Sequence, residues 1–264
     1  MARTEAAPAR RHARLHTVKR LALGCVLAGL LCTPEAASAS PPASSVAPAP
    51  PLTAERKAEG ARAMRSAPRL FGTVSFRMSM DRQQNWLDVL KRNAASPIFF
   101  DERALSRSVS WGQFRRRLEG RPLREKLREV NRFWNAWPYR SDREAWSRED
   151  YWAAPAEFLD RSGDCEDFCI AKYFTLRALG IPADDMRIVV VKETIRGIGH
   201  AVLAVFEREE VHILDNLSDS VRPMRLVRNY VPHVSVNENG RWMHVKAKPA
   251  RAAGSREEGY GTQQ

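Results

Sequence analysis

The segment from Gly163 to Pro182, GDCEDFCIAKYFTLRALGIP, constrains the fold of this chain more than any other. Asp164 suits an N-cap and Gly180 with Pro182 a stop, so the pattern predicts a helix running through Leu179. Phe168, Cys169, Ile170, Ala171, Tyr173, Phe174, Leu176 and Leu179 make that helix apolar on most sides. Such a helix is stable only when surrounded, so it is expected to be central and buried. After it the period changes to strand-like runs over Arg187–Glu193 (RIVVVKE), His200–Phe206 (HAVLAVF) and Val211–Leu214 (VHIL). The short turn between Phe206 and Val211 predicts an antiparallel hairpin for the last two. The expected class is α+β, with helices first and then a buried helix packed on an antiparallel sheet.

Upstream, Leu123, Leu127, Val130, Trp134 and Trp137 recur at steps of four and three, with Pro122 suited to the first turn. They predict a helix over 122–137 whose other face carries Arg121, Arg124, Lys126, Arg128 and Arg132. That face reads as solvated, with docking of an acidic partner as the competing account. A second helix is expected over 81–93, from Trp86, Val89 and Leu90 with Asp81 as its cap, and a short one over 54–66.

The net charge of +12, from 43 basic and 31 acidic residues, invites a nucleic-acid reading until its location is considered. Residues 1–39 hold six basic residues (Arg3, Arg10, Arg11, Arg14, Lys19, Arg20) and two acidic ones (Glu5, Glu35), which leaves +8 for the rest. A basic stretch ending at Arg20, the apolar run Leu21–Leu31 and Ala37-Ser38-Ala39 together read as a secretory signal cleaved before Ser40. The run is too short for a membrane span, and the leucine before Cys32 argues against a lipoprotein. The mature chain is expected to be exported and free of stable membrane insertion. Residues 40–52 (SPPASSVAPAPPL) read as a tether, 53–247 as the folded domain and 248–264 as a polar tail. No zinc spacing or aromatic RNA-binding motif supports nucleic acid. With Cys25 and Cys32 in the leader, only Cys165 and Cys169 remain, too close a pair to staple a fold.

Cys165 in the first turn of the buried helix, His200 at a strand start and Asp215 at the end of the next strand form an ordered set. A nucleophile at a helix N-terminus can face an imidazole on the adjacent sheet, with a carboxylate fixing that imidazole's tautomer. Taken singly, each has a blander account: a packed cysteine, a core histidine, a turn aspartate. Asp164, Glu166 and Asp167 crowd the thiol with negative charge, which disfavours a thiolate. They read either as cap and first-turn acids or as ligands of a hard cation such as Ca²⁺.

These residues, quoted in order, resemble a family: Asp150-Tyr151-Trp152-Ala153-Ala154-Pro155-Ala156-Glu157-Phe158, Gly163-Asp164-Cys165-Glu166-Asp167-Phe168, Ala171-Lys172-Tyr173, Leu179-Gly180-Ile181-Pro182, Gly199-His200-Ala201-Val202-Leu203 and Leu214-Asp215-Asn216. Asn131, Trp137-Pro138-Tyr139 and Ser141-Asp142 fit upstream of them, and Tyr230-Val231-Pro232 with Trp242 fits downstream. Over about residues 120–245 the sequence is similar to the bacterial transglutaminase-like cysteine proteinases, the LapG-type periplasmic proteases.

The resemblance implies a papain-like, transglutaminase-like cysteine proteinase fold with Cys165 as nucleophile, His200 as general base and acid, and Asp215 as its orienting partner. It implies calcium dependence carried by Asp164, Glu166 and Asp167, which favours the cation reading of those acids. It further implies cleavage of the N-terminal region of a large repeat-rich surface adhesin in the periplasm, with release of cells from biofilms. An inner-membrane receptor that senses cyclic di-GMP is the implied sequestering partner. An amide ligase of the transglutaminase type would use the same triad, and a non-catalytic calcium-dependent module would bind adhesin or receptor uncut. Cys169 departs from the small residue expected there and reads as core packing.

Overall fold

The computed structural model describes residues 69–247. The expected signal (1–39), tether (40–52), helix over 54–66 and polar tail (248–264) lie outside the described residues. In chain order the elements are β1 (Thr73–Met78), α1 (Gln84–Ala95), α2 (Trp111–Leu118), α3 (Leu123–Asn135), α4 (Asp142–Trp146), α5 (Pro155–Arg161) and α6 (Cys165–Ala178). They are followed by β2 (Met186–Glu193), β3 (Ile198–Glu207), β4 (Glu210–Asp215), β5 (Ser218–Pro223), β6 (Tyr230–Asn237) and β7 (Gly240–Lys246). The strands form one antiparallel sheet in the order β1-β7-β6-β2-β3-β4-β5. This is the expected α+β class, a helical half packed on an antiparallel sheet.

The predicted buried helix is α6, and Phe168, Cys169, Ile170, Ala171, Tyr173 and Leu176 on it are all at most 2% exposed. Strands β2 and β3 read as continuous apolar runs because both of their faces are covered. Ile188, Ala201, Leu203 and Val205 join the core shared with the helices, whereas Val189, Val191, Val202 and Ala204 pack on the other side with Leu70, Val227 and Tyr230. Helix α3 seats Leu127, Val130 and Trp134 in the first core at no exposure, as its periodicity predicts, and the Trp134 indole donates to Thr175 Oγ1 at 2.8 Å. Phe158 of α5 links Trp134 (5.4 Å) to Phe168 (4.9 Å) edge to face, so an aromatic chain ties α3 and α5 to α6. Truncating a buried tryptophan such as Trp134 typically costs about 3–5 kcal/mol.

Helix α1 starts two residues later than the Asp81 cap requires. Asp81 lies in a 3₁₀ turn (Met80–Arg82), where the Ser79 hydroxyl engages its carboxylate, and Gln83 takes the cap position. Trp86 and Val89 are buried as expected. The basic face of α3 is solvent-facing and partly neutralised from within: Arg121 pairs with Glu125, and Arg124 reaches Glu207 and Glu210 across the β3–β4 turn. Exposed pairs of this kind contribute about 0–1 kcal/mol each. No helix among the described residues is long and apolar enough to cross a membrane.

Candidate active site

The site is built where the N-terminus of α6 meets the loop before α4. Asp164 is the N-cap, and its amide donates to Asp167 Oδ2 at 3.2 Å. The other oxygen of Asp167 accepts the Ala153 amide at 2.6 Å, so one fully buried carboxylate caps the helix and anchors the segment leading into α5. Gly163 must be glycine, because a Cβ there would collide with the Asp167 carboxylate. Its carbonyl accepts the Arg140 amide at 2.9 Å, and a parallel bridge joins Gly163 to Tyr139. This pairing draws Asp142, the first residue of α4, to the start of α6.

Asp142 is the acid that sequence reasoning left without a role. It is 4% exposed, one oxygen accepts the Tyr151 amide at 2.6 Å, and the other is buried without a partner among the described residues. Carboxylate oxygens of Asp142, Asp164 and Asp167 lie within 4.8 Å of one another, as do those of Asp142, Asp150 and Glu166. Asp142 thus joins the expected acids Asp164, Glu166 and Asp167 in these groups, although no single group among the described residues holds those three together. The signal for Asp142 was present in Ser141-Asp142-Arg143-Glu144, but it reads as a capping box, and Glu144 does bond back to the Ser141 amide at 2.9 Å.

This acid cluster is strained electrostatically. Burial, then Glu166, Asp167 and Asp142, push the Asp164 carboxyl up to about 10. Burial raises Asp142 to about 6 against the lowering effect of the Tyr151 amide, and Glu166 and Asp150 add to the rise. Burial likewise holds Asp167 well above the ordinary carboxylate range in spite of its two amide bonds. One Asp164 oxygen is buried and unpartnered among the described residues, as is the free Asp142 oxygen. A dense set of hard oxygen donors with idle lone pairs fits a hard divalent cation better than it fits capping alone.

Cys165 opens α6, where helix-end amides favour an anion. Its Sγ donates to Glu166 Oε2 at 3.1 Å, and burial, with Glu166 and Asp164, pushes the thiol well above its usual range. Cys169, one turn on, is fully buried, and both thiols are free.

On the sheet, His200 of β3 and Asp215 at the end of β4 meet, with Nε2 to Oδ1 at 2.9 Å. The other Asp215 oxygen accepts the Tyr230 hydroxyl at 2.6 Å, and Oδ1 also accepts the Leu217 amide at 2.9 Å. Burial opposes ionisation of Asp215, but the bonds from His200, Tyr230 and Leu217 outweigh it and hold the carboxyl below its ordinary value. The Tyr230 ring also packs on the His200 ring at 5.6 Å. Tyr230, quoted in the sequence motif without a function, thus shares Asp215 with the imidazole. The structure joins His200 directly to Asp215, and α6, which carries Cys165, packs on β3. The thiol's own hydrogen bond goes to Glu166. With Nε2 committed to the carboxylate, Nδ1 is the ring nitrogen left to exchange a proton.

The chain is similar to proteins of known structure. Among solved structures, Legionella pneumophila LapG in calcium-bound form is 32% identical over 60% of this chain and 86% of its own, with a TM-score of 0.48. Legionella pneumophila LapG without a stated ligand is 31% identical over 63% of this chain and 88% of its own, TM-score 0.46. The EGTA-treated form of the same protein is 31% identical over 63% and 86%, TM-score 0.46. No curated protein matches the chain. A family model described as bacterial transglutaminase-like cysteine proteinase matches residues 110–250, a stretch that holds every acid of the cluster together with Cys165, His200, Asp215 and Tyr230. As that match spans more than half of the sequence, the chain belongs to the bacterial transglutaminase-like cysteine proteinases.

Proposed function

We propose that this protein is a calcium-dependent cysteine endopeptidase of the periplasm, working through Cys165, His200 and Asp215. The observation that carries the reading is the hydrogen-bond chain Tyr230–Asp215–His200 on the sheet beside the helix that presents Cys165, in a member of a cysteine proteinase family.

In the reaction, His200 Nδ1 takes the Cys165 proton as Sγ attacks the scissile carbonyl carbon. Amides at the start of α6 stabilise the oxyanion. The C–N bond then breaks, His200 returns the proton to the leaving amine, and a thioester remains on Cys165. His200 next takes a proton from water as its oxygen attacks the thioester, and Cys165 leaves with that proton while the acid product departs. Asp215 remains ionised, holding the imidazole in the tautomer that keeps Nδ1 free and stabilising the imidazolium.

Asp142, Asp164, Glu166 and Asp167 are the residues that would hold calcium. Its positive charge would offset the carboxylates that otherwise oppose a thiolate at Cys165. The substrate is proposed to be the N-terminal region of a large repeat-rich surface adhesin, whose cleavage releases cells from biofilms, with an inner-membrane cyclic di-GMP receptor as sequestering partner. The leader-like residues 1–39 support export. The purified mature chain is expected to cut an N-terminal adhesin segment into two products in calcium and to leave it whole in excess EGTA. Cutting indifferent to the chelator removes the calcium assignment, and no cutting in either condition removes the substrate.

Cys169→Ala is expected to retain at least half of the wild-type kcat with no dependence on reductant, because the buried thiol fills core volume. Loss of activity in that variant would refute the packing role.

A further inference from the structure

Lys172 stands seven residues beyond Cys165, two turns along the same face of α6. Its side chain is fully buried, and Nζ has no hydrogen-bond partner among the described residues. Nζ lies over the Phe168 ring, 5.7 Å from its centroid. A core that needed only volume would hold methionine or leucine there, because an unpaired buried ammonium is costly.

The surroundings explain what the charge can do. Helix α3, packed against α6, sends Asn131 Nδ2 to the Ser218 carbonyl at 2.7 Å and Asn135 Nδ2 to the Asp215 carbonyl at 3.0 Å. Asn135 Nδ2 also reaches Asp219 Oδ1 at 3.1 Å. The Oδ1 atoms of Asn131, Asn135 and Asn216 are buried and lack partners among the described residues. Three idle amide acceptors and one three-fold donor therefore come from elements that pack together around the β4–β5 turn. The ionisable groups acting on Lys172 are Cys169 on its own helix, Asp215 on β4 and Asp219 on β5, while α3, α5, β2 and β3, which also pack on α6, contribute none. Burial lowers the ammonium to about 8, so it is mostly charged at neutral pH.

We propose that Lys172 is a positioning residue for catalysis, its buried ammonium fixing the β4–β5 turn and through it the Asp215 carboxylate that orients His200. The inference rests on the assignment of His200 and Asp215 under the proposed function. A positive charge that acts on Asp215 keeps the carboxylate ionised and limits how strongly it stabilises the imidazolium.

The test is Lys172→Met in the mature chain in calcium, read by NMR titration of the His200 imidazole, by turnover of the adhesin segment and by thermal unfolding. The His200 titration is expected to move to higher pH, with kcat down at least tenfold, KM within twofold and an unfolding midpoint equal or higher. An unchanged His200 titration overturns the proposal, and so does a lower unfolding midpoint with unchanged kcat. Should the variant fail to fold, the wild type alone decides. Its His200 resonances are expected to show a second inflection near pH 8, where Lys172 gives up its proton, and a single inflection overturns the proposal. Failure of the catalytic assignment shows differently: Cys165→Ala then keeps its turnover, whatever Lys172→Met does to the His200 titration.

Discussion

Cys165→Ala is expected to leave about 10⁻⁴ or less of wild-type turnover of the adhesin segment, with an unfolding midpoint within a few degrees of wild type. The half-buried thiol fills little volume, so its loss is chemical and not structural. Asp215→Asn is expected to lower kcat by about 10⁴ for a different reason. A carboxamide can donate to His200 Nε2, which puts the imidazole proton on Nδ1, the nitrogen that accepts from the thiol in the proposed reaction. In the proposed reaction these residues act as one unit, so the double variant is expected to be about as slow as Cys165→Ala alone. Wild-type turnover in Cys165→Ala would end the assignment.

The second large effect concerns the acid cluster. Asp142, Asp164 and Asp167 all hold protons more tightly in the folded chain than in the unfolded one. Unfolding at intermediate pH therefore releases protons, and stability falls as pH rises. For Asp142 the loss runs from near pH 4 to about 6, and for Asp164 from near pH 4 to about 10. In EGTA the unfolding midpoint is accordingly expected to drop from pH 4 to pH 8. Calcium at 100 times its Kd adds about 2.7 kcal/mol and flattens that slope. In Asp142→Asn the calcium-induced rise in midpoint is expected to fall by more than half. An equal rise in the variant and the wild type would remove Asp142 from the ligand set. The experiment separates capping from cation binding, the two readings that the sequence left open for these acids, because a cap alone gives no calcium-dependent shift.

The parts of the fold that were legible are those with one dominant period. α3 and α6 announce themselves by apolar spacing, and β2, β3 and β4 by dense β-branched runs, so Cys165, His200 and Asp215 could be set in order from sequence. The strands that escaped notice each break the pattern. β1 exposes half of its residues, β5 is a polar edge strand, β6 contains Pro232, and β7 buries the polar His244 while exposing Met243 and Val245. That proline is tolerated because it sits where the β2–β6 register shifts, between Val190 and Val191. Asp142 and Tyr230 lie 22 residues or less from Asp164 and Asp215 along the chain. Neither carries a local signature of its role, because the contacts that define it are made only when α4 docks on α6 and β6 folds back across the sheet.

The strand order has a bearing on biogenesis. The ladder partner of β1 is β7, almost the full described length away, so the first strand to be made must wait for the last. Tyr230, on which the Asp215 carboxylate leans, is likewise among the last residues to emerge. A chain delivered from its N-terminus therefore presents Cys165 before Tyr230 and β7 have followed it. The bond from Tyr230 to Asp215 is thus a late product of the chain's own order, formed only after β6 has joined β2.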